Sequence, residues 1–380
     1  MITFGNLPAK KFYVGNQKVK SIWNGNTKVF NAAYAITCSV THGTAAGDTE
    51  LDPDGIALIT ITPDDGYKLP ETITVTNADY DYDEYSGVIT LSNPTDNVII
   101  SAVCEEEPTI TTFNETPWNL ISSVSDIGAN YFAVGDRKAV AISGTVGTQA
   151  INTTLYVYIL GFNHNSAIEG TGISCGCFMT ALSGGKNVAL CDSHYNNDST
   201  NSSKWFNINH SSNTNSGGWK NSSVRYDILG SVEAKNRQNA TSAAKSSPVA
   251  NTLMAALPSD LRAVMKPITK YTDNVGGGTD TAANVTTTID YLPLLAEYEI
   301  FGVKTNANST EQTFQKQYAY YVNGNFITKY NHRDINTTVN WWMRSPYTGT
   351  AVQFTRVGIY AVSTYYTTSR SGGIAPVFLV

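Results

Sequence analysis

Three groups of side chains have the types and spacing from which chemistry is built. Cys175-Gly176-Cys177 is followed by Cys191-Asp192-Ser193-His194, a C-x-C-x13-C-x2-H array of soft ligands. Zinc sites prefer two or more residues inside the first pair, so this spacing favours buried or free thiols. Asp79-Tyr80-Asp81-Tyr82-Asp83-Glu84 offers carboxylates at the first three ligand positions of a calcium loop. The match then fails, because Glu84 stands where the loop needs glycine and Thr90 where it needs a bidentate glutamate. A solvated acidic turn is the expectation there. Glu297 and Glu299 lie two apart on an expected strand over 291–301 and would share one face. Paired acids of a glycosidase need a cleft as well, and structural or solvated carboxylates fit these two better. No Gly-x-Ser-x-Gly elbow, His-Glu-x-x-His pair, Walker-type loop or dinucleotide glycine loop occurs. The five histidines (His42, His164, His194, His210, His332) sit in polar, loop-like settings. The chain therefore reads as a non-enzyme, with no cofactor and no metal site.

The remaining chemistry is recognition. Trp341-Trp342-Met343-Arg344-Ser345-Pro346 and Gly373-Ile374-Ala375-Pro376-Val377-Phe378-Leu379-Val380 are apolar and sharply specified. Between them lie Tyr347, Thr350, Thr355, Arg356, Tyr360, Ser363, Tyr365, Tyr366, Ser369 and Arg370. A rigid frame around Tyr, Ser, Thr and Arg is the chemistry of a paratope. These ten residues are expected to cluster on one exposed face as the ligand-binding site. Trp219, Arg225, Trp341, Trp342 and Arg344 are expected to form the buried frame. Their arginine heads must be paired, since a buried unpaired guanidinium is too costly to keep.

Elements must position these residues, and composition bounds what the elements are. At 380 residues the chain has room for two or three domains. Charged residues make up 15%, against about 25% in ordinary soluble proteins. Net charge is −6 and the pI is near 5.4, which argues against nucleic acid as a partner. Five cysteines are too few for a disulfide scaffold of this length. The N-terminus has no signal-peptide h-region, and no 18-residue apolar run marks a membrane span. A surface-type composition without an export signal suits a protein made in a host cytoplasm and released by lysis, as virion components are.

Residues 1–33 carry a repeat: the Gly-Asn turn of Tyr13 to Lys20 is echoed ten residues later around Asn24-Gly25-Asn26, a β-hairpin signal. These hairpins lack a core of their own and would dock to a virion or to other copies. Residues 34–107 read as a small all-β sandwich, Ig-like, with Cys38 and Cys104 on its first and last strands as a possible thiol pair. Glu105-Glu106-Glu107-Pro108 reads as a linker. Residues 108–380 read as an α+β domain. Strands are expected over 132–142, 155–161, 291–301, 318–329 and from 341 on. Helical patterns fall over 222–229, 248–257 and 261–265, the last with Ser259 as N-cap. The Asn/Ser/His-rich stretch from Cys191 to Asn221 reads as a surface loop.

Trp342-x-Arg344-Ser345-Pro346, Phe354-x-x-Val357 and Gly373-Ile374-Ala375-Pro376-Val377-Phe378 resemble the C-terminal signature of C-type-lectin-like domains from phages and gut bacteria. Gly135-Asp136-x-Lys138, Trp219-x-x-Ser222-x-Val224-Arg225 and the segment from Tyr291 to Glu299 are similar to earlier motifs of the same family. Many members are variable proteins of diversity-generating retroelements, with adenine-directed changes in a C-terminal stretch, here 341–380. The Glu-Pro-Asn, Gln-Pro-Asp and Trp-Asn-Asp motifs of calcium-dependent lectins are missing, so neither sugar specificity nor calcium is implied. The resemblance implies a phage tail-tip or tail-fibre receptor-binding protein, located on the virion, that recognises a host cell-surface protein or glycan. Other virion tail proteins are implied partners, and a homo-oligomer, a trimer by analogy, is the implied assembly. No membrane insertion is expected. The alternatives are a bacterial surface adhesin of the same fold and a glycan-degrading tail enzyme.

Overall fold

The structure, a computed structural model, describes residues 3–4, 7–8, 13–19, 21–107, 109–181, 187–192, 205–210, 212–322, 340–358 and 362–380. The chain forms two compact units, Met1–Pro108 and Thr109–Val380. Strand outweighs helix, at 38% against 18%, and is spread over several small sheets.

The first unit begins with short antiparallel ladders. Tyr13–Val14 pairs with Gln17–Lys18, and Ser21–Asn24 pairs with Thr27–Asn31. Gly15 and Gly25 take the positive φ that each two-residue turn needs. A third ladder, Thr3–Phe4 with Leu7–Pro8, flanks Gly5-Asn6. Gly-Asn thus recurs every ten residues, at 5, 15 and 25, once more than the sequence reading recognises. Two four-stranded sheets follow. Ile56–Pro63 lies between Gly43–Gly47 and Val88–Ser92, with Asp79–Tyr82 outermost. Val98–Val103 lies between Thr74–Thr76 and Tyr34–Thr41, with Glu50–Leu51 outermost. Strict alternation sends Ala57, Ile59 and Ile61 inward to meet Val98 and Ile100, all at most 2% exposed.

Register corrects three expectations here. Cys38 pairs with Ile100, so Cys104 lies farther along the interface and both cysteines are free thiols in the sandwich core. Asp79–Tyr82 is a ladder strand rather than an acidic turn; the turn begins at Asp83, which caps it through Tyr85 N and Ser86 Oγ. The expected linker begins as a strand, Glu105–Glu106, paired with Tyr67–Lys68 and tied by Lys68 to Glu105 at 2.9 Å.

In the second unit a long hairpin, Arg137–Val146 with Gln149–Phe162, continues to Ile173–Ala181. The far edge of Ile173–Ala181 is shared by Asn187–Ala189 and by Val377–Leu379. A two-stranded ladder joins Ile268–Asp273 to Val285–Asp290. A three-stranded ribbon is formed by Trp341–Pro346, Gln353–Val357 and Ser363–Thr367, in that order. Helices are one or two turns long, and the interior holds two apolar clusters, one running from Phe113 and Trp118 to Phe378 and Val380 and a smaller one around Leu160, Tyr318, Trp341 and Met343.

Several expected elements change type. Only Leu294 of 291–301 makes a bridge, to Pro376, and Glu297–Phe301 is a helix. The helix wins because Glu299 reaches back to accept Ala296 N, and Gly302 closes it in the left-handed region. Residues 319–322 are also helical, and 323–329 lie outside the described residues. The pattern over 222–229 becomes a π-helical turn, Val224–Ile228. Ser259 starts the helix Ser259–Val264 rather than capping it; the cap position is Pro258. The Asn/Ser/His-rich stretch is not wholly a surface loop, since Phe206, Asn207 and Ile208 are fully buried.

Candidate binding face

The frame begins at Arg344, which is fully buried on the first ribbon strand. Its guanidinium donates to both oxygens of Glu299, at 2.5 and 2.8 Å, to Leu294 O at 2.8 Å and to Thr272 Oγ1 at 2.7 Å. Lys270 Nζ bridges Glu299 and Glu169, each at 2.8 Å. Tyr318 OH and His164 Nδ1 complete the shell of Glu169. Burial alone would push the Glu299 carboxyl up, but the Arg344 and Lys270 charges outweigh it and hold it well below the carboxylate range. Glu311, bonded to Ser345 next to Arg344 in the chain, accepts from Asp273 N, Ser345 Oγ and Gln315 Nε2. No cation touches it in that way, so burial dominates and raises it to about 7.

A second ion pair holds the other recognisable motif. Arg225 Nε donates to Asp290 Oδ1 at 2.6 Å, while Trp219 Nε1, Ser231 Oγ and Thr288 Oγ1 also donate to Asp290. Lys138 belongs to the frame as well: its ammonium donates to the carbonyls of Phe113, Asn114 and Thr116. Trp342 Nε1 donates to Phe206 O at 3.0 Å. Trp219, Arg225, Trp341, Trp342 and Arg344 are each at most 1% exposed, as expected of a frame.

The ten candidate ligand-binding residues are not one exposed face. Thr355 is fully buried, because the middle ribbon strand is covered on both sides and its Oγ1 donates to Ser345 O. Ser369 is 3% exposed, because its turn packs under Asn207, whose side chain donates to Ser369 O. Ser363 is half-buried and spends its hydroxyl on Glu297 while accepting from Asn306 Nδ2. Tyr360 lies outside the described residues.

The remaining six sort onto two faces. Cross-strand partners share a face, and the register pairs Phe354 with Tyr366 and Arg356 with Thr364 on one side. The other side carries the pairs Thr355–Tyr365 and Val357–Ser363. On the first face the Arg356 guanidinium lies 3.8 Å from the Tyr366 ring centre and that of Arg370 4.8 Å, so the ring carries two cations. On the second face Tyr347 and Tyr365 stack at 3.8 Å with planes 6° apart. Thr350 sits exposed in the turn beside that stack.

Two residues that sequence reasoning passes over hold this turn. Asn215 is fully buried, and its Nδ2 donates to Tyr347 O, Thr350 O and Gln353 O. Its Oδ1 accepts Gly277 N, and neighbouring Gly276, at φ +67°, has backbone where a Cβ would stand 2.0 Å from Asn215 O. One Asn inside an Asn/Ser-rich stretch carries no distinguishing pattern, although the Gly276-Gly277-Gly278 run marks a close backbone approach. Gly349 leaves the space into which the Tyr347 ring folds; a Cβ there would lie 2.4 Å from the ring.

Of the Cys/His array and the Glu297–Glu299 pair, the described side chains sit in packed surroundings. Cys175 and Cys191 are buried, and burial pushes the Cys175 thiol far up. The Cys177 side chain and His194 lie outside the described residues. Glu297 and Glu299 belong to separate networks, Glu297 collecting the backbone N–H groups of Thr305, Asn306 and Ala307. A family model described as a domain of unknown function, DUF6273, matches residues 189–380. No curated protein matches the chain, and no solved structure does.

Proposed function

We propose that this chain, which belongs to the DUF6273 domain family, is a non-enzymatic receptor-binding protein of a phage tail tip or fibre, built on a C-type-lectin-like domain. The observation that carries the reading is the contrast within the ribbon. Buried ion pairs and indoles fix its first strand, while Tyr365 stands exposed and Tyr347, Tyr366, Arg356 and Arg370 are half-buried in preformed stacks. Tyr and Arg supply most hot-spot energy in interfaces, and stacking limits the rotamer freedom they lose on binding. Several copies on one particle would turn weak single contacts into avidity.

The test uses labelled full-length protein, a panel of bacterial cells and two alanine sets. One set changes Tyr347 and Tyr365; the other changes Arg356, Tyr366 and Arg370. At least one set is expected to cost binding about 30-fold or more, as loss of roughly 2 kcal/mol implies. Melting temperature should hold for the exposed Tyr365 and drop for Trp342→Ala or Pro376→Ala, which cut the frame. If both sets bind like the parent, or if the parent depolymerises host polysaccharide, the reading fails.

A further inference from the structure

Charge is partitioned along the first unit in a way that the binding face does not use. Residues 1–33 hold five lysines and no carboxylate, whereas residues 34–107 hold fifteen carboxylates and one lysine. Each region also carries uncovered apolar surface. On the hairpins Tyr13, Val14 and Trp23 are 59%, 76% and 58% exposed. On the sandwich Ile56 and Leu58 point outward at 71% and 52% exposed. The register sets Ser92 and then Asp79 beside Ile56, and Thr90 and then Asp81 beside Leu58. That face is therefore an apolar strip edged by carboxylates, opposite in charge to the hairpins.

We infer that the outward face around Ile56 and Leu58 is a docking surface for the N-terminal hairpins of a second copy of this chain. A second copy is the occupant because both complementary surfaces lie on the same chain and, among the described residues, Tyr13, Val14, Trp23, Ile56 and Leu58 stay exposed within it. Opposite net charge steers the encounter, and the aromatic and aliphatic side chains supply the buried area. A contact between two different patches is heterologous, so it closes into a ring or continues as a fibre. Three-fold rings are among the closures it permits.

The test places a photo-crosslinking amino acid at Ile56 of the full-length chain and mixes isotopically light and heavy copies. At 50 mM salt, light–heavy crosslinks to residues 13–31 are expected. They should fall about tenfold at 500 mM salt, as screening shortens the reach of the charges. Lys18→Gln with Lys20→Gln and Lys28→Gln should weaken them likewise. Leu58→Ser, an outward change that leaves the sandwich core intact, must also lower the yield. Crosslinks confined to one isotope would mean that the hairpins cover their own sandwich, and would overturn the inference. So would crosslinks elsewhere, or a yield indifferent to salt.

Discussion

Glu311 shows how a single buried carboxyl sets the behaviour of the unit around it. Its folded value near 7 lies above its ordinary 4.5, so the folded protein holds a proton that the unfolded chain has released. Stability then falls as pH rises from about 4.5 through 7, by at most about 1.4 kcal/mol per pH unit. Glu169 and Glu299 act in the opposite sense. Burial works against their charged forms, but their cations win and lower both, so their contribution is lost as acid protonates them below the ordinary carboxylate range. The melting temperature of the second unit should therefore peak in mild acid and decline between pH 5 and 8. Glu311→Gln should flatten that decline, because glutamine fills the same space without a charge to bury. Parallel melting curves for the two proteins across that range would show that Glu311 is not the group responsible.

At the scale of elements, the ribbon depends on a side chain from a distant segment. Asn215→Ala removes the one donor that Tyr347 O, Thr350 O and Gln353 O share. The expected cost is about 1–3 kcal/mol, the range for leaving buried polar groups unsatisfied. Cell binding should fall with it if the Tyr347–Tyr365 face is the one used, since the turn carrying Tyr347 loses its anchor. Calorimetry and the cell-binding assay on this one variant check both parts.

The same scale shows what the sequence conveys and what it withholds. The frame was legible: Trp219, Arg225, Trp342 and Arg344 stand in ordered motifs, and large buried side chains with paired heads have few other uses. Period-two alternation likewise marks Ile56–Pro63 and Val98–Val103 as strands with one inward face. The segment from 291 to 301 misleads because an unbroken apolar run followed by Glu-Tyr-Glu suits a strand or a helix equally, and a backbone cap decides between them. Exposure within the ribbon is not written locally either. Thr355 and Tyr365 are cross-strand neighbours of similar polarity, and what separates them is coverage by Ser345 and its strand, a tertiary fact.

For the whole molecule, uneven charge has a thermodynamic reading apart from any partner. Fifteen carboxylates and one lysine in residues 34–107 repel one another in the folded sandwich. Added salt should raise the melting temperature of the first unit. Residues 109–380, where the two signs nearly balance, should respond far less. Differential scanning calorimetry from 20 to 500 mM salt should show two transitions, of which only the first moves by several degrees. A single transition, or equal movement of both, would contradict this.

The pairing of Ile173–Ala181 with Val377–Leu379 also sets a timetable for synthesis. Ser174, Cys175 and Gly176 gain their second neighbour only when Leu379, Phe378 and Val377 have left the ribosome. At translation speeds of about 5–20 residues per second, the intervening stretch takes roughly 10–40 seconds to make. Throughout that interval Ser174, Cys175 and Gly176 present an open strand edge that any other nascent copy could join. Newly made chains are thus exposed to mispairing for a span fixed by the length of the intervening chain rather than by folding rate, and slower translation should lower the soluble yield.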